Sequence, residues 1–159
     1  MATLDTSLFS PELVFFDTTA TTSTGLFSQL REKLAPMGYL EDSWLHAITT
    51  RENNYPTGLE LDNISVAIPH VEPENIAKPY IAVVKPDVPV AFEPMAAMVD
   101  HPVQAQLVIN LGLKAHDEDQ VAVLQKLMNV FMDANACEDI LAQTTKEGMV
   151  DTLKKYCKE

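Results

Sequence analysis

Residues 65–75 read SVAIPHVEPEN. A run of small and β-branched apolar residues reaches Pro69, and His70 follows at once. Such residues favour an extended chain, so "ISVAI" (64–68) is predicted as a strand. Pro69 has no N–H to give to a sheet ladder, and it holds Ile68 extended. Together they set the direction in which the chain leaves the sheet. A histidine placed there stands on a rigid support, which is what a reacting side chain needs. The chemistry of these residues alone leaves a second reading open, since a strand-end histidine is often a partly exposed bystander.

Working outward, "ELVFFD" (12–17), "YIAVVK" (80–85) and "QAQLVINL" (104–111) are further predicted strands. "PDVPVAFEPMA" (86–96) is too rich in proline for a central strand and is read as edge strand or loop. A helix over about 24–36 carries Leu26, Phe27, Leu30 and Leu34 on one face. Asp42 is the expected N-cap of a second helix with Trp44, Leu45 and Ile48. That helix runs into "TTRENNYPTG" (49–58), whose Pro56 and Gly58 signal a loop. In "DEDQVAVLQKLMNVFMD" (117–133), Val121, Leu124, Leu127, Met128 and Phe131 form a helical stripe behind an acidic first turn. A short helix near 137–143 and a last one near 146–157 follow, the latter turning Met149, Val150, Leu153 and Tyr156 inward. The order β-α-α-β-β-β-α-α-α predicts an α+β fold, a three-layer α/β/α sandwich with a mixed sheet.

At 159 residues and 47% hydrophobic content, the chain is expected to form one domain spanning 1–159. No run approaches the roughly 18 apolar residues that a membrane-spanning helix needs. "MATLDTSLFS" has neither a basic nor a long apolar region, so no secretory leader is expected. Cys137 and Cys157 have no framework spacing, which fits a reducing cytoplasm. The net charge of −12, from 11 basic and 23 acidic side chains, repels phosphate backbones and disfavours nucleic acid. A basic protein partner fits better. From Leu34 to Leu113 the only basic side chains are Arg51, Lys78 and Lys85, so an anion handled there has few cations to meet.

"RENNYPTGLELDNISVAIPH" (51–70) resembles the signature of enzyme IIA domains of the fructose–mannitol type, from the phosphoenolpyruvate-dependent sugar phosphotransferase system. The matching residues are Arg51, Glu52, Thr57, Gly58, Ala67, Ile68, Pro69 and His70. "PTGL-x-L" before the strand and "PHVE" after it are similar to the galactitol-type branch. The likeness extends to "VFFD" (14–17), to "LVINLGLKAHDEDQVAVLQKLM" (107–128) and to the helical end.

The resemblance implies that His70 accepts a phosphoryl group from the carrier protein HPr. It would then pass the group to a cysteine of enzyme IIB, which serves the membrane enzyme IIC. The residue suits the task, because a neutral imidazole nitrogen is nucleophilic near neutral pH. Arg51 is implied to stand beside that histidine, where its planar fork matches phosphoryl oxygens. Without the family it reads as a solvated helix-end arginine. Glu52 either orients Arg51 or faces water. Glu72 either holds an imidazole N–H and fixes its tautomer, or is a plain loop carboxylate. The family often carries a second histidine near the active one. His116 lies near that position, although alignment of the preceding strand brings Glu118 closer to it. His46 and His101 read as structural or solvent-facing. Metal spacings such as HExxH are missing, as are phosphate-binding glycine loops and a GxSxG elbow, so neither cofactor nor metal is expected. A second reading keeps the same histidine but makes the protein a regulatory module, whose phosphorylation state controls a partner.

Overall fold

The computed structural model describes residues 5–114 and 117–157. Its centre is a five-stranded mixed sheet built from β1 (Val14–Phe15), β2 (Gly58–Glu60), β3 (Ser65–Ala67), β4 (Tyr80–Val84) and β7 (Leu107–Gly112). The spatial order is β1-β4-β7-β3-β2. β1 runs parallel to β4 and β3 parallel to β7, while β4 with β7 and β2 with β3 are antiparallel. Two further strands, β5 (Val90–Phe92) and β6 (Val103–Ala105), form a separate antiparallel ribbon. The helices are α1 (Ser23–Leu34), α2 (Trp44–Asn54), α3 (Asp117–Phe131), α4 (Ala134–Leu141) and α5 (Lys146–Cys157).

Side chains alternate across the strands, and this divides the core in two. Val14, Val66, Ile68, Ile81, Val83, Leu107, Ile109 and Leu111 face α3, α4 and α5. Phe15, Ala67, Tyr80, Ala82, Val84 and Val108 face α1 and α2. Helices thus cover both faces, and the expected three-layer α/β/α arrangement is found. On the second face, Phe27 of α1 packs edge-on against Trp44 of α2 and Phe92 of β5, with ring centroids 6.4 and 6.0 Å apart. Those aromatic contacts tie the ribbon to the helical layer.

Local details correct several expectations. The strand expected over 12–17 shrinks to Val14–Phe15, because Pro11–Leu13 forms a 3-10 turn. β2, a strand that the sequence reading lacks, starts at Gly58, the last residue of the stretch read as a loop, and is held by its pairing with β3. The strand expected over 104–111 is two strands, parted at Gln106. There the Gln106 N–H donates to the Ser65 carbonyl, while its side-chain oxygen accepts from the Ser65 N–H, so a side chain takes the place of a backbone acceptor in the ladder to β3. Asp42 does not cap α2. The cap residue is Ser43, and its hydroxyl donates to Asn75 Oδ1 at 2.7 Å. The expected stripe of α3 is found except at Val121, which is 63% exposed. Leu127 and Phe131 are buried, Leu124 and Met128 pack partly buried against the same core, and Val123 and Val130 join that face. The short helix expected over 137–143 starts earlier, because the Asp133 carboxylate caps the N–H groups of Asn135 and Ala136.

Asn110 and Tyr80 secure the centre of the sheet. Asn110 is fully buried in β7, donating through Nδ2 to the Pro69 carbonyl at 3.0 Å and accepting from the Tyr80 hydroxyl at 2.7 Å. The Tyr80 ring crosses Gly112, its partner in the β4–β7 register, so closely that a Cβ there would lie 2.0 Å from Cε1. Only glycine leaves room for a ring tethered in this way. Gly112→Ala should therefore lower unfolding free energy by roughly 1–3 kcal/mol, the usual range for overpacking. Urea denaturation measures it, and an unchanged midpoint would show that the Tyr80 ring is free to shift.

Candidate functional site

The site grows out of the end of β3. Pairing between β3 and β7 joins Val66 to Leu107 and Ala67 to Val108. Pro69 contributes no N–H, yet the register resumes beyond it, with His70 opposite Leu111. The Pro69 carbonyl makes this possible by accepting the Leu111 N–H at 3.1 Å and Asn110 Nδ2 at 3.0 Å. His70 consequently leaves the sheet from a fixed backbone and is only 8% exposed.

Its Nδ1 lies 2.9 Å from the Ile68 carbonyl. A carbonyl can only accept, so Nδ1 carries the proton and Nε2 keeps the lone pair. Of the two readings of Glu72, the one in which it fixes the tautomer is set aside, because a backbone carbonyl does this. Burial holds His70 below the ordinary imidazole range and the Arg51 charge adds to that, against the Ile68 carbonyl and Glu72, which favour the protonated ring. The ring is neutral at neutral pH, with one available nucleophilic nitrogen.

Arg51 and Glu52 come from the last turn of α2, which continues through much of the stretch read as a loop. Trp44, Ile48 and Glu52 are its buried residues, spaced four apart on one face. Neighbouring residues on a helix point about 100° apart. Glu52 is therefore driven inside while Arg51 sits at the rim. Arg51 Nη2 approaches His70 Nε2 at 3.3 Å, and Nη1 donates to Glu72 Oε2 at 2.8 Å. Nε is buried without a partner, and the guanidinium lies over the exposed Tyr55 ring, 5.5 Å from its centroid. Glu52 is only 6% exposed, and the hydrogen bonds of its carboxylate go to Thr57 rather than to Arg51 or His70. Its carboxylate accepts the Thr57 N–H at 2.7 Å and the Thr57 hydroxyl at 3.0 and 3.1 Å. It thus closes the turn from α2 into β2, and burial pushes its pKa up to about 7, against the Thr57 donors and the Arg51 charge.

The structure brings His70, Arg51 and Glu72 together. His116 lies outside the described residues, and of Glu118 only the backbone, in the first turn of α3, is described. His46 is exposed on α2, and His101 is exposed between Glu60 and Asp100. Among the described residues, no group of three or more His, Cys, Asp or Glu is arranged to hold a metal ion, and no helix is long and apolar enough to cross a membrane. Sequence reasoning gives Asn110 no role and names Thr57 only as a matching residue of the family signature. Asn110 had a visible signal, a polar residue in the middle of the apolar strand LVINL, since a buried amide needs partners.

Comparison with known proteins gives this geometry its family. Residues 7–156 match the family model for the phosphoenolpyruvate-dependent sugar phosphotransferase system, EIIA 2. The galactitol-specific EIIA component of Escherichia coli K12 is 26% identical over 116 residues, covering 73% of this chain and 75% of that protein. Among solved structures, nitrogen regulatory protein IIA-Ntr of Neisseria meningitidis superposes with a TM-score of 0.76 at 20% identity, over 93% of this chain and 97% of that one. The mannitol enzyme IIA of E. coli, solved in complex with phosphorylated mannitol enzyme IIB, gives 0.67 at 24%, over 93% and 95%. The chain belongs to the type-2 enzyme IIA family of the sugar phosphotransferase system. It is a phosphotransferase component of the phosphohistidine-carrying kind.

The buried Glu52 has a measurable consequence. Its folded pKa of about 7 lies above the unfolded carboxylate value, so the folded state holds the extra proton between about pH 4.5 and 7. Stability from this group is present below that window and is lost as pH rises through it, by on the order of 3 kcal/mol. Glu52→Gln keeps an acceptor for the Thr57 N–H and removes the titration. Urea unfolding at several pH values should show a slope across this window in the parent chain that flattens in the variant; identical pH profiles would mean that Glu52 does not titrate there.

Proposed function

We propose that His70 is the phosphoryl carrier of this enzyme IIA, taking the group from phosphorylated HPr and handing it to a cysteine of enzyme IIB. The observation that carries this reading is the pairing of a proton-bearing Nδ1 on the Ile68 carbonyl with an Nε2 lone pair facing Arg51. In the first transfer the Nε2 lone pair forms a bond to phosphorus. The N–P bond of the donor histidine breaks, and its electrons return to the donor nitrogen. In the second, a thiolate attacks and the Nε2–P bond breaks. The Ile68 carbonyl retains the Nδ1 proton throughout, so the leaving group is a neutral imidazole rather than an imidazolate. Arg51 offers donors to the equatorial oxygens, where charge is spread in the transition state. The protein works in the cytoplasm, and enzyme IIB couples it to the membrane enzyme IIC. The mannitol IIA–IIB complex supports the choice of IIB as recipient. The identity to the galactitol-specific component makes a hexitol, galactitol first, the substrate class to test. A regulatory role would use the same histidine and differ only in the recipient.

Phosphoenolpyruvate, enzyme I and HPr should add one acid-labile, base-stable phosphoryl group. His70→Ala should abolish it without unfolding the chain. Acceptance should stay level through about pH 6.5, where a free imidazole protonates, and fall only at lower pH. Full labelling of His70→Ala would sink the assignment.

Arg51→Lys keeps the charge but loses the two-pronged geometry. It should still be labelled at His70, more slowly by on the order of 100-fold, or about 2.7 kcal/mol, with Arg51→Ala slower again. Single-turnover transfer from phosphorylated HPr, and then to IIB, measures both steps. Wild-type rates in both variants would leave Arg51 as a solvated helix-end residue.

A further inference from the structure

Arg51 offers five N–H donors in a planar fork. One Nη1 donor serves Glu72, Nη2 faces the His70 lone pair, and Nε is buried without a partner. The guanidinium is therefore held against the nucleophile by a carboxylate, with a buried donor in reserve. Glu72 follows His70 by two residues and starts the Pro73–Asn75 turn, and the Asn75 N–H and Nδ2 both donate to its carbonyl. Its backbone is fixed, while its side chain is 46% exposed.

We propose that Glu72 is a positioning residue that acts through Arg51 to keep the phosphoryl group on His70 loosely held and ready to leave. The proposal rests on His70 being the carrier. Three effects follow from the geometry, and they share one sign. In the unphosphorylated protein, Glu72 neutralises Arg51 and seats Nη2 on the His70 lone pair, which stabilises the resting state. Once Nε2 bears a phosphoryl group, nearly two negative charges stand beside a carboxylate, which repels them. Glu72 also competes with the phosphoryl oxygens for the guanidinium donors, leaving Nη2 and the unpartnered Nε as those most readily turned to the phosphate. Each effect raises the free energy of the phosphorylated protein relative to the resting one.

Removing the Glu72 charge should therefore increase phosphorylation at equilibrium. A residue needed only to keep the site in shape would do the opposite. The experiment mixes the full chain with phosphorylated HPr, then reads the ratio of the two phosphoproteins at equilibrium for the parent, Glu72→Gln and Glu72→Asp. Glu72→Gln should shift the balance toward the phosphorylated chain by about tenfold, the factor that corresponds to 1.4 kcal/mol. Glu72→Asp keeps the charge and should shift it less. The difference between parent and Glu72→Gln should shrink at high salt, because a half-exposed charge is screened. A balance in Glu72→Gln that equals the parent's, or moves away from the phosphorylated chain, overturns the proposal. The two failures separate cleanly. Labelling of His70→Ala would remove the carrier assignment itself, whereas normal labelling of the parent with an unmoved balance in Glu72→Gln removes only the role of Glu72.

Discussion

The Pro69 carbonyl is the point on which the site depends. A proline at the end of a parallel strand removes one ladder donor and would ordinarily release the chain. Here the carbonyl takes two donors, the Leu111 N–H and the Asn110 side chain. Register is kept for one more residue, and that residue is His70. The Ile68 carbonyl, just upstream, is then aimed at Nδ1. Backbone geometry rather than a side-chain partner thus decides which nitrogen is nucleophilic. Asn110 needs the Tyr80 hydroxyl to orient its amide, and Tyr80 needs the bare Gly112 beneath its ring. A chain of buried contacts in the central strands therefore supports a single imidazole tautomer at the rim.

The second support comes from helix periodicity. Trp44 and Ile48 set the buried face of α2, and the next position on that face is Glu52. Burying a carboxylate costs free energy unless its oxygens are satisfied. Thr57 supplies both an N–H and a hydroxyl, which bends the chain from α2 into β2. The same turn brings Gly58 against the Glu93 carbonyl, to which its N–H donates at 3.1 Å. The Arg-Glu pair consequently divides its work. Glu52 builds the corner, and Arg51, one residue earlier, is carried to the histidine.

Much of this was legible in the sequence, and the misses have physical causes. The strand-proline-histidine exit, the strand at 80–85 and the α1 stripe could be read because proline chemistry and long periodic runs are local signals. His70 and Arg51 meet as the family resemblance implied. β2 is three residues long, too short for alternation to register, and it exists through pairing with β3. The break at Gln106 is invisible in a continuous apolar run, because it depends on Ser65 from a distant strand. In α3 both Val121 and Val123 are apolar, so periodicity alone admits two faces, and packing selects Val123. Glu72 reads either as a partner of the imidazole, because the two are close in sequence, or as a plain loop carboxylate. Its partner, Arg51, lies 21 residues away and could be found only in the fold.

A phosphocarrier has a constraint that an ordinary anion site lacks. Tight binding of the bound group speeds nothing, since interactions made equally in the ground state and the transition state leave the chemical step unchanged. A deep cluster of cations around His70 would trap the phosphoryl group. Among the described residues, the cation that meets His70 is one guanidinium, already committed in part to a carboxylate, in a chain whose net charge is −12. In the proposed transfer, that cation would offset charge as phosphorus moves in line between donor and acceptor. Its ion pair with Glu72 would keep it from holding the group afterwards. Burial of the imidazole favours its neutral form and, in the proposed carrier, would limit access of water to the N–P bond. Restraint in positive charge is thus as much a part of this site as the nucleophile.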